Sequence, residues 1–344
     1  MRFFALRVGW ILLAVGVLLA PATPSAAESG ILDPDHYGVG YGANEADDLA
    51  PMALDWAYEA HVRWVRLGVY WQTIEPQPGQ MDWSRYDALL ARAQEKQLNV
   101  LGVLGYATRW SNRAPAGSLG DLTRNPPGDD AAWLRYVSSV VQRYGGQVHT
   151  WEVWNEPDLP HFWGGTPAQY AHLLAITYTT IKSLDPSATV VLGGLGFHDF
   201  EGQIPDEFLV TILNDPAYPA GQYFDVASIH HFGSTDQAIQ RMALLKSRLA
   251  EAGLGNRPIW ITETGQASDP ELTYAPDFAG LDGQAAWLRL MLPTLVGLGV
   301  ERVFWFQLYD SGDDDRGLGL LDRDLTPKPA FAALRALLSG RPNV

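Results

Sequence analysis

The sequence predicts an α/β chain folded as a single-domain (β/α)8 TIM barrel, and three observations carry that reading. Short β-branched or apolar runs alternate with amphipathic helical runs eight times. Such alternation gives parallel strands joined by right-handed crossovers. The 344 residues accommodate eight units with moderate loop insertions. No Pro/Ser-rich linker divides the chain, and residues 37–42 (YGVGYG) do not match the G-x-G-x-x-G turn that opens a nucleotide-binding doubly wound sheet.

The strands are predicted over residues 37–41, 64–69, 100–105, 148–155, 189–193, 226–230, 259–262 and 302–307, each a run rich in Val, Ile, Leu or aromatics. Helices are predicted near 47–60, 84–97, 131–144, 167–183, 206–213, 235–252, 283–298 and 328–338, where apolar residues recur at helical spacing. Residues 1–27 read instead as a secretory signal peptide. Arg2 and Arg7 give a positive start, Val8 to Ala20 is apolar, Pro21 and Pro24 break the run, and Ser25-Ala26-Ala27 offers a small-residue cleavage site. A helix over that run spans about 20 Å, short of a bilayer core of about 30 Å. The expected products are a domain of residues 28–344, a secreted, periplasmic or cell-envelope location, and no stable membrane span after cleavage.

Composition narrows the function. There are 39 acidic and 24 basic residues, a formal charge of −15, so the basic face of a nucleic-acid binder is missing. The acidic balance also disfavours polyanionic substrates unless a local patch overrides it. The absence of cysteine removes thiol catalysis, disulfides and Cys-zinc sites. Neither a G-x-S-x-G elbow nor an H-E-x-x-H zinc helix is present, and no cofactor or metal is expected. The Asp313–Asp315 run, with Asp322 and Asp324, lacks EF-hand spacing and reads as a solvated acidic loop.

In a barrel of this kind chemistry sits at strand C-termini. Two such ends carry a carboxylate, Glu156 after strand four and Glu263 after strand seven. Three units apart, they face each other across the barrel mouth. Acetal cleavage needs that arrangement: one carboxylic acid protonates the leaving oxygen, and one carboxylate attacks or stabilises the oxocarbenium-like carbon. Trp154 and Pro157 are expected to raise the pKa of Glu156. Other candidates read as structural. Asn44-Glu45 suits a loop or cap, Glu75 a loop brace, and Glu152 a deep structural group that needs a partner, Arg66 being one candidate. His231 is expected to face away from the lumen, and Trp133 and Trp287 to pack in the core.

Trp154-Asn155-Glu156-Pro157, with Ile261-Thr262-Glu263 three strands later, resembles the clan of retaining (β/α)8 glycoside hydrolases. Residues 151–163 (WEVWNEPDLPHFW) look most like glycoside hydrolase family 39, a family of β-xylosidases, α-L-iduronidases and bacterial exopolysaccharide hydrolases. Residues 71–83 (WQTIEPQPGQMDW), 225–230 (DVASIH) and 319–330 (GLLDRDLTPKPA) extend the resemblance over nearly the whole domain. It implies Glu156 as acid/base and Glu263 as nucleophile. It places Arg66 on the nucleophile, where it is expected to lower the Glu263 pKa, Asn155 on the sugar 2-hydroxyl, His230 beside the acid/base and Trp305 under the sugar. Trp71, Tyr106, Gln307 and Tyr309 complete the expected carbohydrate contacts. The clan often has a tyrosine two residues after the strand-six histidine; here that residue is Phe232, with Tyr309 or Tyr106 as candidate replacements. The implied activity is retaining hydrolysis of a polysaccharide or oligosaccharide. The alternatives are an exo-acting β-xylosidase-type enzyme, a transglycosidase and a silent carbohydrate-binding pseudoenzyme.

Overall fold

A computed structural model describes residues 32–41, 50–118, 121–197, 205–311 and 317–339. The expected leader, Asn44-Glu45 and Asp313–Asp315 lie outside them. Eight strands run in chain order: β1 (Tyr37–Gly40), β2 (Trp64–Tyr70), β3 (Asn99–Gly105), β4 (Thr150–Val153), β5 (Thr189–Leu192), β6 (Ala227–His231), β7 (Ile259–Thr264) and β8 (Arg302–Trp305). All ladder pairs are parallel in the order β5-β4-β3-β2-β1-β8-β7-β6. Bridges Val191–Val226 and Leu195–Ile229 join the two ends, so the sheet closes on itself. The expected barrel is the observed one.

The helices are α1 (Ala50–Glu59), α2 (Trp71–Ile74), α3 (Ser84–Glu95), α4 (Asp130–Tyr144), α5 (Pro167–Leu184), α6 (Glu207–Leu213), α7 (Thr235–Glu251), α8 (Gly280–Gly297) and α9 (Pro329–Ser339). The single turn α2 falls where no helix is predicted. Local chemistry sets several starts. Thr166 and Ser234 close reciprocal caps with Gln169 and Gln237, and Asp129 accepts from the first turn of α4. Among the described residues no helix is long and apolar enough to cross a membrane.

Strand parity decides what reaches the lumen. On β2, Arg66, Gly68 and Tyr70 line the central cavity, while Val65, Leu67 and Val69 join the apolar layer beneath the helices. The lower lumen is plugged by Leu101, Val191, Val226, Trp260 and Phe304, with Trp64 against them. Trp64 meets Trp260 edge-on at 5.6 Å, and Arg302 lies over both rings at 4.5 and 4.6 Å. The plug closes the bottom of the barrel and leaves the top for a site. Trp260→Ala empties its largest piece; a loss of about 3–5 kcal/mol is expected in urea unfolding.

Candidate active site

The site is built around a buried cation. Arg66 donates from Nε to Glu152 Oε2 at 2.6 Å, from Nη2 to Asn155 Oδ1 at 2.7 Å, and from Nη1 to Glu263 Oε1 at 2.5 Å. Glu152 is fully buried and also accepts from the Gly194 amide at 2.8 Å and Thr262 Oγ1 at 3.1 Å. It is therefore the inner brace that the sequence suggested, with Arg66 as its partner.

Two backbone irregularities aim the outer carboxylates. At the end of β4, Trp154 and Glu156 take left-handed φ values of 71° and 44°. Such conformations strain residues with a Cβ and persist only where neighbours enforce them. Here the Trp154 amide donates to Leu104, its indole N–H to Phe162 O, and the Glu156 amide to Gly194 O. The β4 ladder consequently stops at Val153 rather than at the predicted Asn155. On β7 the register slips by one residue against both neighbours, since Ile261 pairs with Ile229 but Glu263 with His230. This bulge lets consecutive residues Thr262 and Glu263 both address the interior. Glu263 thus lies inside the strand, not after it.

His230 Nδ1 is hydrogen-bonded to Glu156 Oε1 at 2.8 Å and lies 3.6 Å from Glu263 Oε2. A Cβ at Gly194 would stand 2.2 Å from His230 Nε2, so only glycine leaves room for the imidazole. Oxygens of Glu156 and Glu263 and a ring nitrogen of His230 lie within 4.8 Å of one another. That trio has metal-ligand chemistry, yet the Arg66 guanidinium already occupies Glu263 and would repel a cation there.

The electrostatics depart from expectation at Glu263. Burial raises its pKa, with Glu156 and Glu152 adding to the rise and His230 and Arg66 opposing it. The expected lowering fails because burial outweighs the opposing pull of His230 and Arg66. Burial lowers the pKa of His230, so the ring is neutral near pH 7. His231 faces outward to Arg241 of α7, as expected, and burial beside that cation lowers its pKa to about 3.

A cavity of about 360 Å³ opens over this network, lined by Arg66, Tyr106, Asn155, Glu156 and Glu263 among the expected residues. His230 is buried beneath it. Four expectations are corrected. Trp305 turns from the cavity: its indole N–H donates to Leu318 O and its ring meets Trp287 of α8. Phe306 lines the cavity instead. Trp71 is buried, donating to Glu75 and stacking on Tyr136. Tyr309 is buried edge-on against Tyr41, and buried Gln307 accepts from Ser311. Residues not anticipated in the wall are Tyr41, Tyr70, Gln72, Asp121, Thr123, Arg124 and Phe162. Phe232 packs on Tyr274 and Phe306. Glu75, Trp133 and Trp287 are buried structural residues, as read from the sequence.

Residues 68–161 match glycosyl hydrolase family 10. The matched span runs from β2 past Glu156 and stops short of β7. A β-xylosidase from Geobacillus stearothermophilus is 41% identical over 73 residues, 19% of this chain and 14% of that protein. A β-xylosidase from Caldicellulosiruptor saccharolyticus is 25% identical over 248 residues, 63% of this chain and 48% of that one. The chain thus spans less than half the length of either. A family 39 glycoside hydrolase structure from Bacteroides cellulosilyticus WH2 superposes with a TM-score of 0.68 at 21% identity, over 90% of this chain and 65% of the other. The chain therefore resembles the (β/α)8 glycoside hydrolases, with a family 10 match in sequence and a family 39 likeness in fold.

Two stability outcomes follow. Glu152→Ala strands a buried guanidinium and should cost about 3–5 kcal/mol in urea unfolding. Glu263 has a folded pKa above its unfolded value, so the folded state binds more protons between the two. Its contribution to stability therefore falls as pH rises through that window. Glu263→Gln should melt no lower than the parent at pH 7, and a clear drop in melting temperature would contradict this reading.

Proposed function

We propose that this chain is an exported glycosidase that hydrolyses O-glycosidic bonds of a polysaccharide or oligosaccharide with retention. Glu156 serves as acid/base and Glu263 as nucleophile. The observation that carries the proposal is the approach of the two carboxylates, with oxygens inside 4.8 Å. Retaining enzymes hold their carboxyl groups about 5–5.5 Å apart, whereas inverting ones leave about 6.5–9.5 Å for a water. Export rests on the charged, apolar and small-residue pattern of residues 1–27.

Charge balance supports the division of roles. Three carboxylates surround one arginine and a neutral imidazole, so the pair at the cavity holds one proton at working pH. Arg66 on Glu263 favours negative charge there and leaves the proton to Glu156. Arg66 also occupies Glu263 Oε1, leaving Oε2 to attack. In the first step the Glu156 proton passes to the glycosidic oxygen as the C1–O bond breaks and Glu263 bonds to C1. In the second, Glu156 takes a proton from water, whose oxygen displaces Glu263. Asn155 gives its carbonyl to Arg66, so its amide N–H groups face the cavity, suited to a sugar hydroxyl.

A reducing-end assay on a polysaccharide panel, run beside aryl β-xyloside and β-glucoside, tests the activity. Glu156→Ala should lose at least about 100-fold in turnover, and Glu263→Gln should lose covalent labelling by a fluorosugar. NMR should find the retained anomer first; an inverted first product, or continued labelling of Glu263→Gln, would sink the assignment. Because burial raises the Glu263 pKa, the acid limb of kcat/KM should lie above the ordinary glutamate range. Activity is lost as pH falls through that limb.

A further inference from the structure

The cavity wall contains a second arginine that the mechanism leaves unused. Arg124, in the loop between β3 and α4, stands over the Tyr106 ring at 3.9 Å and the Phe162 ring at 5.1 Å. Its Nε donates to Asp121 Oδ2 at 3.0 Å. Among the described residues neither terminal nitrogen has a protein partner, and Nη1 is buried without one. Among the described residues, Arg66 and Arg124 are the cations that line the cavity. They differ in kind. Arg66 spends its donors on Glu152, Asn155 and Glu263, whereas Arg124 is held in place by two rings and one carboxylate, with Nη1 covered and Nη2 left for a ligand.

A guanidinium that has lost water at one nitrogen and gained a single hydrogen bond is incompletely compensated. A hydroxyl would return a dipole to it; a carboxylate returns a charge and makes the stronger, charge-assisted bond. The chain as a whole is strongly acidic, so an anionic group can be held only by positive charge at contact distance. We propose that Arg124 determines specificity by binding the carboxylate of a uronic acid residue carried by the saccharide. Asp121 and the Tyr106 and Phe162 rings position the guanidinium for it. The inference rests on the reading of the cavity as a saccharide site.

The test measures binding rather than turnover, so that it stands apart from the assay of hydrolysis. Glu156→Gln protein is titrated calorimetrically with three acidic probes: a glucuronic-acid-bearing xylotriose, a hyaluronan tetrasaccharide and a trigalacturonate. Each is run beside its carboxyl-reduced form, and a sulfated xylo-oligosaccharide is added. At least one acidic probe should bind about 10- to 100-fold more tightly than its reduced form, the range of one charge-assisted bond. Arg124→Gln in the same background should abolish that difference, and added salt should shrink it. Equal binding of acidic and reduced forms, a preference that survives Arg124→Gln, binding of the sulfated probe alone, or no binding by any acidic probe would overturn the proposal. The parent comparison of acidic with reduced probes decides even if Arg124→Gln fails to fold. Turnover of neutral saccharides by the unaltered chain judges the glycosidase reading separately.

Discussion

The site depends on one buried guanidinium. Arg66 is carried by the centre of a strand, not by a loop, and its three nitrogens tie β2 to residues of the β4 and β7 ends. Taking such a group out of water is costly unless its donors are met. Here they are met by Glu152, Asn155 and Glu263. The same bonds that make burial tolerable also fix which oxygen of Glu263 and which end of the Asn155 amide face the cavity. Structural satisfaction and chemical orientation are one set of contacts, so the network cannot be loosened for one purpose without disturbing the other.

The second constraint is local backbone geometry. A regular parallel strand presents alternate residues to the lumen, which would separate Thr262 from Glu263. The bulge on β7 puts Thr262 on Glu152 and Glu263 on Arg66 together. The left-handed residues at the end of β4 do the corresponding work for Glu156, their amides held by carbonyls of β3 and the β5 end. Both irregularities occur at residues whose side chains enter the site, and the regular remainder of the barrel supplies their anchors.

How far this was legible from the chain follows from which signals are local. The eight-unit rhythm, the place of Glu156 just past a strand and Arg66 as a possible partner for Glu152 depend on periodicity and charge, and the structure contains them, whereas Glu263 lies within β7 rather than after it. The aromatic wall was read less well. Trp305 and Trp71 were picked for residue type, but parity rules against Trp305: Phe304 fills the lower lumen, so Phe306 shares its face and Trp305 looks out at α8. Trp71 begins a helical turn that carries its ring into the layer beneath α4. Arg124 and Phe162 were missed because they lie on long connections, where no period relates sequence position to direction. The Glu263 pKa was misjudged because pairing with Arg66 was visible while the competing burial was not.

The contrast between floor and wall bears on how such a site changes. On the floor each charged group is matched by another group of the chain, so truncating the brace Glu152 leaves the buried guanidinium under-matched and the fold suffers. On the wall, Tyr70 stacks on Tyr106, Arg124 lies over the Tyr106 and Phe162 rings, and among the described residues only Asp121 answers its charge. Change there alters what the cavity contacts without stranding a partner at the barrel centre. On the proposed reading, the group that attacks the glycosidic bond is therefore held on β7 and locked by Arg66, and its acid partner sits just past β4, fixed by its amide's bond to Gly194. Groups that tell one saccharide from another are expected on the β3–α4 and β4–α5 loops, where an open donor still awaits a partner.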